Sequence, residues 1–339
     1  MRAKWALVGL GRHAEQYVAP AIRASALGEL VAVCSSDGRR AQEFAANAGG
    51  ARVYASLDEL LRDQDAEFVY LCSANYAHEE QAVRVAGASR HVFCEKPLAS
   101  SVAACERMVA ACARAGVQLG VGYHLRQGPA HQEARRLIFD GAIGRVLSAR
   151  IQYFHVVAPS GEPPKPKWRL DPALGGGEFI GTGNHALDLA RYLLGDDVAA
   201  VKAAALRAAG DEQGQAVTVS ARMQSGALVS IEFGRAKHAE NAAAVVGSNG
   251  TIVLRDSIGN FSGGTLLLMT DAGTSTRSWP RLDAYAAQVD DFVSAVRSGS
   301  RPAADGIDGV RVAEIVAAAE ASVASGCEVS LAGLPDSKG

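Results

Sequence analysis

No stretch of this 339-residue chain is apolar for long enough to span a bilayer, and no run of basic residues appears in it. The first absence argues against a transmembrane helix. The second, with a net charge of −2, leaves no basic stripe for nucleic acid or anionic lipid, so neither partner is expected. Six cysteines (Cys34, Cys72, Cys94, Cys105, Cys112 and Cys327) show no CxxC spacing of the kind a metal site uses, and no metal is expected. Three of them close apolar segments, where a thiol acts as a small hydrophobe, a usage that suits a reducing cytoplasm. The apolar opening Trp5–Leu10 is too short for a signal peptide, which points the same way. Repeats and low-complexity linkers are lacking too, and the one proline-rich stretch, Pro159–Pro166, reads as a loop.

What is present is an ordinary globular composition, 48% hydrophobic and 21% charged, in a chain longer than one typical domain. Short apolar segments alternate with amphipathic ones over the first third. Strands are expected at Trp5–Leu10, Leu30–Cys34, Phe68–Cys72, His91–Cys94 and Val117–Val121. Helices are expected at His13–Ala26, Arg39–Ala48, Leu57–Leu61, Glu79–Ala86, Val102–Ala115 and Pro129–Phe139. Strands that are apolar throughout imply a sheet covered on both faces, hence parallel. From Gly144 the texture changes to closely spaced strands with tight turns such as Ser-Asn-Gly, which make a mainly antiparallel sheet. Helices interrupt it at Gly183–Leu194 and close it at Ala284–Arg297 and Val310–Ala324. The expectation is an α/β chain: a Rossmann dinucleotide-binding domain over 1–124, then an α+β domain with a large open sheet over 125–339.

The first strand runs into Gly9-Leu10-Gly11-Arg12-His13-Ala14, a G-x-G-x-x-A turn that opens a helix. The first glycine permits the tight turn, the second lets a pyrophosphate approach, and the small third residue lets helix pack on strand. Free N–H groups at the helix start favour the phosphates. At the end of the second strand, NAD enzymes place an acid on the ribose 2′-hydroxyl. Here the chain reads Cys34-Ser35-Ser36-Asp37-Gly38-Arg39-Arg40. Two hydroxyls and a guanidinium, Ser35, Ser36 and Arg40, suit a 2′-phosphate and favour NADP. Asp37 keeps NAD open, since a two-residue slip returns an acid. Glu95-Lys96-Pro97 follows an apolar strand, where parallel sheets bind ligands. Taken alone it reads as a surface ion pair before a strand-stopping proline, or as a proton donor and acceptor.

These motifs, with Ser73-Ala-Asn75 and His78, Trp168-Arg169, Gly175-Gly-Gly177, His185-Ala-Leu-Asp188-Leu189, Tyr285, Gln288-Val-Asp-Asp-Phe292 and Ile307-Asp-Gly-Val310, stand in an order that resembles the Gfo/Idh/MocA oxidoreductases along essentially the whole chain. Within that family, Tyr123-His-Leu-Arg126 through Trp168-Arg169 looks most like the 1,5-anhydro-D-fructose reductases, which are NADP enzymes. The resemblance implies a hydride transfer between nicotinamide and a carbon of a sugar, sugar derivative or polyol. It places Gly9 to Ala14 on the pyrophosphate, Ser35, Ser36 and Arg40 on the adenosine ribose and 2′-phosphate, and Ser73, Ala74, Asn75 and His78 along the dinucleotide. Glu95 and Lys96 would lie beside the nicotinamide ribose, before a cis Lys96–Pro97 bond, and Trp168, Arg169 and Tyr285 would close over the nicotinamide end. Lys96, Arg126 and His185 would meet substrate, with Lys96 and His185 catalytic. A homodimer or homotetramer through the second-domain sheet is implied as well.

The chain departs from the family at one position. The usual pattern has an Asp four residues before the histidine, and here that position is Gly181 in Gly177-Glu-Phe-Ile-Gly181-Thr-Gly-Asn-His185. Glu178 stands three residues too early to replace it, and Thr182 and Asn184 offer hydrogen bonds but no acid. Asp188, three residues beyond His185, shares its helical face and is placed to fix its tautomer. Two other functions stay open at this point: a glycosidase-type enzyme that retains its nicotinamide, and a non-catalytic dinucleotide sensor.

Overall fold

The computed structural model describes residues 1–156, 177, 179–206 and 216–331. The chain divides into two compact units, Met1–Gln127 with Asp283–Ala313 and Gly128–Leu282 with Glu314–Gly339. The α-helices among the described residues are α1 (Ala19–Ala24), α2 (Gly38–Asn47), α3 (Leu57–Arg62), α4 (His78–Gly87), α5 (Val102–Ala115), α6 (Pro129–Phe139), α7 (Asn184–Leu194), α8 (Ala284–Ser298) and α9 (Gly306–Ser325). Among the described residues no helix is long and apolar enough to cross a membrane.

Six strands build the sheet of the first unit: β1 (Ala3–Val8), β2 (Gly28–Cys34), β3 (Arg52–Tyr54), β4 (Phe68–Leu71), β5 (His91–Cys94) and β6 (Leu119–Val121). They lie in the order β3-β2-β1-β4-β5-β6, and every pairing is parallel. β4 is buried along its whole length, as an apolar strand covered on both faces must be. The order reverses between β1 and β4, which opens a crevice at their carboxyl ends. The edge strand β3 was not anticipated; three residues, half exposed, carry no periodicity. The helix expected at His13–Ala26 begins instead with a π-wound turn, Ala14–Val18, before α1. Side chains cap four of the helices: Asp37 for α2, Ser56 for α3, Ser101 for α5 and Asp283 for α8.

A boundary at 124/125 leaves out the return of Asp283–Ala313 to this unit. The reason is packing. Phe292 of α8 lies 6.0 Å from Trp5, 6.0 Å from Phe68 and 5.2 Å from Phe93, ring centre to ring centre. Gly120 of β6 makes room for it, since a Cβ there would meet Phe93 at 2.6 Å and Phe292 at 2.7 Å. Val289 and Val293 join the same cluster, so α8 seals one face of the parallel sheet.

The second unit carries β7 (Val146–Val156), β8 (Val198–Leu206), β9 (Ala216–Met223), β10 (Leu228–Ala236), β11 (Ala242–Gly247), β12 (Gly250–Arg255), β13 (Ser262–Thr270), β14 (Gly273–Leu282) and β15 (Val329–Ser330). Their order is β14-β13-β12-β11-β7-β10-β9-β8-β15, antiparallel throughout except for the parallel pair of β7 and β10. Burial alternates along β9, with Val217, Val219, Ala221 and Met223 inside and Thr218, Ser220 and Arg222 outside. That is the signature of a sheet packed on one face. α7 occupies that packed face, where His185 approaches Tyr153 and Gly183 lies against Phe233. Edge strands β14 and β15 were not expected; β14 is exposed almost throughout and offers no apolar alternation to read.

Candidate cofactor and catalytic residues

The turn after β1 is bound to its neighbours by its backbone. Gly9 donates its N–H to the Cys34 carbonyl at 3.2 Å and adopts a φ of +88°. A Cβ there would fall 2.5 Å from the Ser73 nitrogen, so only glycine lets β1 and the end of β4 close up. Gly11 is the opposite case: a Cβ on it would meet nothing within 4 Å. Its open side, followed by free N–H groups at a helix start, fits a pyrophosphate. Ala14 is fully buried, the small third residue the packing requires, and Leu10 is buried beside it. Arg12 is exposed and donates to Gln16 at 3.1 Å.

At the end of β2, Ser35 accepts from the Asp37 N–H at 3.2 Å. Asp37 in turn accepts from the Arg40 N–H at 3.1 Å, which commits its carboxylate to the start of α2. Ser36 and Arg40 are exposed, and the Arg40 guanidinium has no ion-pair partner among the described residues. At the end of β4, Ser73 donates to Gln81 of α4 at 2.5 Å, Ala74 is half-buried and Asn75 is buried. His78 is completely enclosed, at 0% exposure, so its ring lines no open groove.

Glu95, at 6% exposure, is the centre of the polar contacts of this unit. Its carboxylate lies 3.3 Å from His13 Nε2 and accepts from the Tyr70 hydroxyl at 2.8 Å and the Lys96 N–H at 3.2 Å. Gln288 of α8 donates to the Tyr70 oxygen at 2.9 Å. Burial would push the Glu95 carboxyl up, but the nearby His13, the Lys96 ammonium and the Tyr70 hydroxyl together hold it down at about 2. Glu95 is therefore an ionised, buried carboxylate. Lys96 beside it is half-buried, and the Lys96–Pro97 bond is cis, as the resemblance implied. Sequence reasoning did not find the roles of Tyr70 and Gln288. The available signal was a tyrosine inside a fully apolar strand, whose hydroxyl needs a buried partner.

Tyr285 is buried at the start of α8 and takes part in an aromatic group, 4.5 Å from His124, 5.3 Å from Tyr17 and 5.5 Å from His13. Arg126 is also buried. It donates to Asp308 at 2.9 Å and to the Ala303 carbonyl at 2.6 Å, an ion pair inside the first unit. Trp168 and Arg169 lie outside the described residues, as does Glu178.

In the second unit a π-wound turn, Phe179–Gly183, leads directly into α7. Gly181 donates to the Gly177 carbonyl at 3.0 Å and has no positive φ, so its backbone conformation is one that other residues adopt. Thr182, Asn184, His185 and Asp188 are all buried. The Thr182 hydroxyl and the Asn184 side-chain oxygen have no hydrogen-bond partner among the described residues. His185 and Asp188, at i and i+3, share one face of α7.

A parallel sheet in this order, with a glycine turn at its reversal, defines the dinucleotide-binding class of α/β proteins. Residues 3–123 match the family described as "Oxidoreductase family, NAD-binding Rossmann fold", and residues 131–253 match the "GFO/IDH/MocA C-terminal domain". The chain belongs to the Gfo/Idh/MocA oxidoreductases, which are NAD(P)-binding enzymes. It is 34% identical to a 1,5-anhydro-D-fructose reductase of Ensifer adhaerens over 311 residues, covering 91% of this chain and 92% of that one. It is 31% identical to inositol 2-dehydrogenase 2 of Saccharopolyspora erythraea over 333 residues, covering 94% and 93%. Among solved structures, an aldose-aldose oxidoreductase from Caulobacter crescentus complexed with glycerol superposes with a TM-score of 0.88 at 27% identity, over 98% of this chain and all of the other.

Proposed function

We propose that this chain is an NADP-preferring oxidoreductase that interconverts C–OH and C=O at one carbon of a sugar, sugar derivative or polyol. The observation that carries the reading is the Glu95-Lys96 pair: one carboxylate buried and ionised, the adjoining ammonium half-buried, at the carboxyl end of a strand beside the glycine turn. A surface ion pair has no reason to sink its acid. The names of the related reductases and dehydrogenases support the substrate class.

Gly9, Leu10, Gly11, Arg12, His13 and Ala14 form the pyrophosphate turn in this reading, and Ser73, Ala74 and Asn75 flank it. NADP preference is supported by Asp37, whose carboxylate caps α2, leaving Ser35, Ser36 and the exposed Arg40 for a 2′-phosphate. The bound nicotinamide supplies the hydride chemistry. Lys96 takes the hydroxyl proton of an alcohol or returns one to a carbonyl oxygen, and His185, oriented by Asp188, is the second catalytic residue. Residues 1–124, joined by the returning Asp283–Ala313, act as the nucleotide domain, and the rest of the following residues as the substrate and dimerisation domain. The face of its sheet opposite α7, with Arg150, Ser230 and Glu232, is the surface through which a homodimer or homotetramer forms. The chain works in the cytoplasm.

A screen of sugars and inositols with NADPH and NADH, followed at the nicotinamide absorbance, tests the class. Lys96→Met on the substrate so found tests the site. It keeps an unbranched side chain and removes the ionisable group. Turnover falls by roughly two to four orders of magnitude, the usual worth of acid–base catalysis, while dinucleotide affinity changes little. Near-normal turnover would reduce Lys96 to a structural ion pair.

A further inference from the structure

Lys96 is useful only if its ammonium is aimed, and the turn that aims it has few backbone donors to hold it. Pro97 contributes none. Two side chains bind the turn's backbone on either side of the Lys96–Pro97 bond. On one side the Lys96 N–H is bound by the Glu95 carboxylate at 3.2 Å. On the other, His78 Nδ1 lies 3.0 Å from the Pro97 carbonyl oxygen. That oxygen only accepts, so Nδ1 carries the proton and donates. Burial lowers His78 below the ordinary imidazole range by more than the Pro97 carbonyl and the Glu95 charge raise it, so the ring is neutral and its tautomer is fixed. α4, which starts at His78, is itself pinned to the end of β4 by the Ser73–Gln81 hydrogen bond.

We infer that His78 is a positioning residue for Lys96, acting through the Pro97 carbonyl, and not a ligand of the dinucleotide. The inference rests on the reading of Lys96 as the acid/base. An imidazole at 0% exposure has no face open to a dinucleotide at the carboxyl ends of the strands, yet it holds the residue next to Lys96. A displacement of about 1 Å in a catalytic group costs up to about a hundredfold in rate.

Three variants and one control separate the roles. His78→Phe keeps a ring and removes the donor. Its kcat falls roughly ten- to a hundredfold, NADPH affinity by titration stays within about threefold, and the limb of the kcat–pH profile that depends on Lys96 moves. His78→Asn places an amide N–H near the position of Nδ1 and recovers most of the rate. His78→Gln, whose amide reaches the Nε2 position, does not, and this pair decides the matter even where His78→Phe fails to fold. Loss of NADPH affinity in step with kcat would make His78 a cofactor ligand, and equal rates for the Asn and Gln variants would end the positioning role. Lys96→Met, measured alongside, keeps the two ideas apart. If it remains active the reading of Lys96 fails, whereas an inactive Lys96→Met beside fully active His78 variants overturns only the present inference.

Discussion

Gly9→Ala and Gly11→Ala add the same methyl group two residues apart and should fail in opposite ways. At Gly9 the backbone is left-handed, with φ of +88°, which costs an alanine about 1–2 kcal/mol. The new Cβ also falls 2.5 Å from the Ser73 nitrogen, 2.6 Å from its Cα and 2.7 Å from the Cys72 carbonyl carbon. All three are backbone atoms at the end of β4, so the strand end must move, and overpacking of this kind costs about 1–3 kcal/mol. The sum, about 2–5 kcal/mol, lowers Tm by roughly 5–15 °C for a unit of this size. At Gly11 the Cβ meets nothing within 4 Å and φ is not positive. Folding should be unchanged or slightly improved, because alanine restricts the unfolded chain by about 0.4–1 kcal/mol. The methyl does stand where the pyrophosphate must approach, so NADPH binding should weaken at least tenfold, about 1.4 kcal/mol. Differential scanning fluorimetry and cofactor titration on both variants decide it. A Gly11→Ala protein with normal stability and normal NADPH affinity would refute the assignment of this turn to the pyrophosphate.

Ser35→Asp should reverse cofactor preference toward NADH, since a carboxylate would stand where the 2′-phosphate sits, and equal affinity of the unmodified protein for both cofactors would remove the argument. Glu95, held at about 2 in the folded chain, binds its proton more weakly there than when unfolded, so it stabilises the fold above about pH 4.5 and loses that contribution as pH falls toward 2. The difference is of order 3 kcal/mol, and urea denaturation across this window should show a shallower pH dependence for Glu95→Gln than for the unmodified protein, whereas coincident slopes would contradict it. Gly181→Asp should reduce activity, because the added carboxylate enters a turn rebuilt around a missing side chain. With no positive φ to strain, Tm should hold, and a clean gain in turnover would show that the site still wants its acid.

The central parallel strands and the glycine turn were legible because their signals are local: apolar throughout, bounded by turn residues, followed by amphipathic helices. The edge strands β3, β14 and β15 were not. An edge strand buries little, so its side chains obey no period, and β14 reads Gly-Thr-Ser-Thr-Arg-Ser-Trp-Pro-Arg-Leu with almost every residue exposed. The return of α8 to the first unit was equally hidden. Its amphipathic pattern says that one face is buried, but only the aromatic set of Trp5, Phe68 and Phe93 says against what. Trp168 and Arg169 fall outside the described residues, so the structure adds nothing to the reading of them. The motif makes Arg126 a candidate substrate ligand, and its pairing with Asp308, 182 residues away, is visible only in the structure.

The same distance in sequence explains why Glu95 looks dull in one dimension and central in three. Placing an ionised carboxylate at 6% exposure costs several kcal/mol unless every lone pair finds a partner. Those partners come from β4 (Tyr70), from its own neighbour (Lys96 N–H) and, through Tyr70, from α8 (Gln288, 218 residues beyond it), while His13 of the glycine turn lies 3.3 Å from the carboxylate. Neither Tyr70 nor the Lys96 backbone can shift without leaving a buried charge short of a donor, a costly defect in a core. The turn proposed to hold the pyrophosphate and the lysine proposed to move the proton are therefore joined through one carboxylate.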